Sequence, residues 1–216
     1  MVEQIKSQKL FIWAPVIVVL ISSFSSFVFS TFFQEWAWIA VAFFYWGSIF
    51  AFLYFFTTKE ERKKWFSKTT GHVGWKIGTV VVGLIPLPIL LMNTHLLKES
   101  ILITVFWLAF AIINPFFEEG FWRGFLLDKL PFHSKLHKVL YSTVLFILSH
   151  PLLWGIFSIA NRNYQVFISL FIMSLVWSYA YYRMQSLRWV IFSHFLVDIG
   201  NLAVFTFLNL YVPPHF

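Results

Sequence analysis

ILITVFWLAFAIINPFFEEGFWRGFLL, residues 101–127, decides how the rest of the chain is read. Crossing the roughly 30 Å hydrocarbon core of a bilayer takes about 20 mostly apolar residues in a helix, and this stretch is longer than that. Its charged residues are Glu118, Glu119 and Arg123, all toward its C-terminal end. An ionisable side chain at membrane depth costs several kcal/mol on insertion scales, so it marks function by default. A membrane span with two adjacent acids therefore predicts both the fold class and the place to look for chemistry.

Working outward, six further stretches have the same apolar character: about 11–33, 36–56, 77–97, 139–157, 164–182 and 189–211. With residues 101–127 they predict an all-α, polytopic transmembrane helical bundle of about seven spans. The connections are too short for a second domain, so residues 1–216 read as one transmembrane domain. Composition agrees, with 59% hydrophobic residues, 12% charged, 29 Phe and 11 Trp in 216 residues. A soluble domain carries about a quarter charged residues. Helix packing and kinking explain Gly78, Gly83, Pro86 and Pro88 in the third span. The absence of cysteine rules out disulfides, a thiolate nucleophile and Cys-ligated metal sites. The apolar run after Leu10 is too long for a signal-peptide core and reads as a retained span.

The net charge of +7 raises nucleic acid as a partner, but the basic residues lie in short gaps between apolar runs, not on one solvated face. Nucleic acid is excluded, and the basicity reads as topology. Positively charged loops stay cytoplasmic. With the N-terminus inside, Lys6, Lys9, Lys59, Arg62, Lys63, Lys64, Lys68, Lys76, Arg123, Lys129, Lys135, Lys138, Arg183 and Arg188 fall on the cytoplasmic side, leaving Lys98 and Arg162 outside. The C-terminal tail, residues 211–216, is then outside.

Glu118, Glu119 and Asp198 are the acids inside spans; of the histidines, His150 and His194 lie inside apolar runs, whereas His95 sits near the outer end of the third span, where an interfacial role fits. At about 1.5 Å per residue Glu118 lies about 25 Å along its span and His150 about 16 Å along its own. One pocket in the cytoplasmic half of the bilayer can hold all five groups. Glu119 and Arg123 are an i,i+4 pair in the favourable order, while Glu118, about 100° round the helix, is left free. Asn114-Pro115 breaks the hydrogen-bond ladder just before them and bends the helix. On the last span His194, Asp198 and Asn201 form one polar stripe. A lone Glu–Arg pair reads as polar glue between helices. Two adjacent carboxylates with two separate histidines do not, because Ser, Thr or Asn would serve as glue at lower cost.

The motifs E-E-x-x-x-R (Glu118, Glu119, Arg123), F-x-x-x-H (Phe146, His150) and H-x-x-x-D (His194, Asp198), in this order and within spans, resemble the CPBP family, the CAAX protease and bacteriocin-processing (Abi) intramembrane proteases. The resemblance covers about residues 101–201. It implies a CAAX-prenyl-protease-like endopeptidase in which Glu118 activates water with help from His150. Glu119 and Arg123 would support it, His194 and the residue four later would stabilise the oxyanion, and Phe146 would line the site. It implies a peptide or protein substrate at the membrane, no cofactor, and a multi-pass protein of the cell membrane like the bacterial members. Prenyl proteases typically carry Asn where this chain has Asp198. An ionised Asp cannot donate to an oxyanion, so either Asp198 is protonated, or it orients His194, or Asn201 supplies the amide.

Peptide hydrolysis needs an activated water, a proton donor for the leaving amine and donors for the oxyanion, and these residues can supply each. H-E-x-x-H, G-x-S-x-G and G-x-G-D are absent, against zinc, serine and aspartyl intramembrane designs. Three other readings stay open: a zinc-dependent protease with His150, His194 and Glu118 or Glu119 as ligands; a proton-coupled carrier; and a non-enzymatic bacteriocin-immunity or scaffold protein.

Overall fold

The stretch 101–127 is helical throughout, as the sequence predicts. The computed structural model describes residues 2–208, with side chains from residue 8 onward, so the expected outward-facing tail at 211–216 lies outside the described residues. Ten α-helices follow in order among them: α1 (Val2–Phe33), α2 (Ala37–Phe56), α3 (Lys59–Trp65), α4 (Val73–Leu84), α5 (Leu87–Met92), α6 (Ile101–Glu119), α7 (Leu126–Lys129), α8 (Lys135–Ser149), α9 (Tyr164–Met184) and α10 (Arg188–Gly200). No strand occurs among the described residues.

Among the described residues five stretches are long and apolar enough to cross a membrane: Gln8–Phe56, Val73–Met92, Ile101–Lys129, Lys135–Trp154 and Tyr164–Met184. The first is a helical hairpin. It reverses at Gln34–Trp36, where Gln34 takes φ 50°, and Phe29 meets Phe44 while Phe11 meets Phe56, an antiparallel pairing. The seventh stretch expected from the sequence is not one continuous helix. α10 stops at Gly200, Leu202 takes φ 53°, and a π-helical segment continues over Ala203–Leu208. At about 1.5 Å per residue α10 is roughly 20 Å long, and its His194, Asp198 and Asn201 stripe lowers its hydropathy.

Large apolar side chains cover the outside: Phe32, Phe43, Phe55, Met92 and Ile101 are each more than two-thirds exposed. That surface suits lipid, and the buried residues form one cluster beneath it. The third expected span, 77–97, breaks in the middle. α4 ends at Leu84, Pro86 turns the chain, and α5 restarts at Leu87.

The basic helix ends meet at one end of the bundle and are tied together there. Thr58 and Glu61 cap α3 reciprocally, and Lys129 pairs with Glu61. Partial burial works to raise the Glu61 carboxyl, but hydrogen bonds from Lys129 and the Thr58 backbone outweigh it and hold it below its usual range. Asp128 accepts from Trp65 Nε1 at 3.2 Å and from the Tyr181 hydroxyl at 2.9 Å. Ser186 Oγ donates to the Trp65 and Ser67 carbonyls, and Thr70 N donates to Met184 O at 3.0 Å.

Close approach of α4 to α10 depends on Gly83, where a Cβ would stand 2.7 Å from the Ser193 carbonyl oxygen. Gly83→Ala is therefore expected to destabilise the bundle by about 1–3 kcal/mol, the usual range for overpacking. Thermal unfolding in detergent measures it, and an unchanged midpoint would contradict this contact.

Candidate active site

α6 brings Asn114, Glu118 and Glu119 to the bundle interior, and all three are buried. Pro115 sits inside an uninterrupted α6, so the break expected at Asn114-Pro115 does not end the helix. The irregularity comes after Glu119, where Gly120–Phe125 widen into a π-helical turn. A second π-helical turn, His150–Trp154, follows α8. Single π turns inside α-helices gather at functional sites because they shift which side chains face inward.

The Glu119 carboxylate is held from two sides. Arg123 donates to its Oε1 at 2.9 Å, the i,i+4 pair that the spacing predicted, and both side chains are fully buried. The same oxygen lies 2.7 Å from His194 Nδ1. With Arg123 as its counterion Glu119 is an acceptor, so His194 Nδ1 donates to it and Nε2 faces the remaining acids. That nitrogen stands 3.6 Å from Glu118 Oε2 and 3.7 Å from Asp198 Oδ2. The His194 ring stacks on Trp177 with centroids 4.9 Å apart, and Trp177 Nε1 donates to Ser193 Oγ. Of these acids, Glu119 is the one within hydrogen-bond distance of the His194 ring, and Asp198 stands farther off.

Glu118 is 1% exposed, and its Oε2 has no hydrogen-bond partner. The Tyr45 hydroxyl interacts with its carboxyl and accepts from Trp122 Nε1 at 3.1 Å. His150 Nδ1 is bonded to the Phe146 carbonyl at 2.9 Å, the i,i+4 contact of the F-x-x-x-H motif, which leaves Nε2 available. Asp198 Oδ2 lies 3.4 Å from Asn114 Nδ2. Trp46 Nε1 donates to Asn114 Oδ1 at 3.0 Å, and an indole N–H can only donate, so the amide must turn its NH₂ toward Asp198. Arg123 lies with its guanidinium 4.2 Å from the Phe146 ring centroid and 5.1 Å from that of Trp177.

A cavity of about 510 Å³ is bounded by Glu118, Phe146, His150, His194, Asp198 and Asn201 together with apolar and uncharged polar residues. Asn201 Oδ1 is buried without a hydrogen-bond partner. Among the expected site residues, Glu119 and Arg123 stand behind this wall and the other six line it. Among the described residues no three His, Asp or Glu side chains are grouped so as to hold a metal ion.

Tyr45, Trp46 and Trp177 were missed in the sequence because a search for ionisable groups passes over aromatic residues, and the Asn114 side chain was hidden behind its neighbour proline. No charge or spacing signal singles out these four.

Residues 100–200 match the family described as type II CAAX prenyl endopeptidase Rce1-like. This segment is similar to the Rce1-like family. No curated protein and no solved structure matches the chain. At the level of the family the activity is that of a CAAX-protease-type endopeptidase, a hydrolase that meets peptide substrate in a bilayer. The Rce1-like segment runs from Ser100 at the start of α6 to Gly200 at the end of α10 and holds Glu118, Glu119, Arg123, Phe146, His150, His194 and Asp198. Tyr45, Trp46 and Asn201 come from outside it.

Proposed function

We propose that the chain is a multi-pass cell-membrane endopeptidase that hydrolyses a peptide bond of a membrane-associated or lipidated substrate with water activated by Glu118, without a resident metal. The observation that carries this reading is the buried Glu118 carboxyl, free at Oε2 on the wall of a cavity that also presents His150 and His194.

In this reading Glu118 Oε2 takes a proton from water as its oxygen attacks the scissile carbonyl carbon. His150, held through Nδ1 by Phe146 O, directs the water from Nε2. Negative charge moves to the carbonyl oxygen, and Glu118 then passes its proton to the leaving amine. His194 Nε2 can donate to the oxyanion only when the ring carries both protons, because Nδ1 already donates to Glu119. Activity then needs Glu118 ionised and His194 doubly protonated, which gives a bell-shaped pH profile.

Hydrolysis is tested by comparing membrane peptides from cells with and without the protein in ¹⁸O-labelled water. New C-termini carrying the label are expected, and an identical peptide set would overturn the peptidase reading. Chelation is expected to leave the cleavage rate unchanged; a loss reversed by zinc would transfer the chemistry to a metal held by His150, His194 and a carboxylate.

Asp198 is expected to act as a donor to the oxyanion in its protonated form. Asp198→Asn should then keep most activity and extend it toward higher pH, because an amide donates at every pH. A large loss that does not vary with pH in this variant would contradict the donor role.

A further inference from the structure

The cavity runs away from the basic end of the bundle. Beneath the site, toward that end, Trp122, Phe125, Leu126, Met184 and Leu187 are fully buried. The Trp65, Asp128 and Tyr181 contacts then fasten α3, α7 and α9 together below them. On the other side of the site the walls continue to Asn161 and Phe207, joined by an Asn161 Nδ2 to Phe207 O hydrogen bond of 2.9 Å. These residues lie at the end of the bundle where α9 begins and the segment after α10 finishes, whereas Arg183 and Arg188 lie where α9 ends and α10 begins.

The exposed residues among those that line the cavity mark its rim: Ile85, Ile89, Asn163, Gln165, Ser169 and Ile172. They belong to two facing walls, the α4–α5 break at Pro86 and the first half of α9. Ile85, Pro86 and Ile89, at and just after the break, are the residues of this wall that line the cavity. No Lys or Arg is among the lining residues, and the polar groups beyond the ionisable site are mainly uncharged amides. Such a wall suits a peptide backbone with apolar or lipid-bearing side chains, and it offers no cation for a carboxylate or phosphate.

Loops rich in Lys and Arg stay in the cytoplasm, and the basic end of this bundle is the closed one. We propose that the substrate reaches Glu118 from the opposite face, through the rim between α5 and the first half of α9, so that the chain acts on peptide segments presented in the non-cytoplasmic leaflet. This deepens the peptidase reading by naming the side and the route, and it rests on that reading for what happens once the segment arrives.

The chain contains no cysteine, so single cysteines read sidedness without background. Gln165→Cys at the rim and Ser67→Cys at the basic end would each be treated with a charged, membrane-impermeant maleimide on intact cells and again after permeabilisation. Gln165→Cys is expected to label in intact cells and Ser67→Cys only after permeabilisation. Labelling of Gln165→Cys only under the conditions that label Ser67→Cys, or under neither condition, would overturn the proposal. This arm needs no activity, so it stands or falls apart from the peptidase reading.

In a second arm Ser169→Cys is coupled to a bulky maleimide and its rate compared with the same variant left unmodified. A drop of at least tenfold in Glu118-dependent cleavage is expected, and an unchanged rate in fully modified protein would overturn the route.

Discussion

Arg123→Ala is expected to destabilise the bundle by about 3–5 kcal/mol and to abolish activity with it. The magnitude follows from removing one partner of a fully buried ion pair, which strands the other charge without water. Glu119 would keep His194 as a partner, but Arg123 and His194 meet the same carboxylate oxygen in the native site, and without the guanidinium that oxygen is no longer held in place for His194. The guanidinium also packs against Phe146 and Trp177, so the loss includes ring contacts. Arg123→Lys restores the charge but not the planar group lying against two rings, and should fall between wild type and alanine. Thermal unfolding in detergent orders the three proteins. An Arg123→Ala protein as stable as wild type would remove the pair from the account.

Much of this site was legible because its parts are local in sequence. Glu119 to Arg123, Phe146 to His150 and His194 to Asp198 are each one helical turn apart, and each spacing survives as a shared face. That Glu119, and not Glu118, pairs with Arg123 also follows from helical spacing alone. What decides the chemistry in detail is not local. Glu119 finds His194 across 75 positions and Asn114 finds Asp198 across 84, so neither the ring orientation of His194 nor the amide direction could be read in one dimension.

The bundle itself was legible through hydropathy, with two departures: the third expected span breaks at Pro86, and the last is not continuous. The last helix carries three polar residues on one face and ends at Gly200, where hydropathy alone had extended it to 211. The two π turns at Gly120–Phe125 and His150–Trp154 leave no pattern in composition, because one extra residue in a turn changes geometry without changing polarity. The helix α3 had a signal that went unused: Thr58 followed three residues later by Glu61 is a capping box. The direction of the cavity depends on the buried plug at the basic end and on the step at Pro86, both products of packing.

The central claim is that the Glu118 carboxylate activates the attacking water. Glu118→Gln keeps the size and the hydrogen-bonding reach of the side chain but removes its ability to take a proton. Because Glu118 Oε2 has no hydrogen-bond partner and Glu119 already neutralises Arg123, the fold should not depend on that charge. General acid–base catalysis contributes about 10²–10⁴-fold, and Glu118 is asked to serve in both halves of the reaction, so the loss should lie at or beyond the upper end of that range. The decisive measurement is the single-turnover cleavage rate of wild type and Glu118→Gln in the same liposomes, on a peptide identified by its ¹⁸O-labelled terminus, with unfolding midpoints recorded alongside. The account predicts a rate at least 10³-fold lower with an unchanged midpoint, whereas wild-type turnover by Glu118→Gln would contradict it.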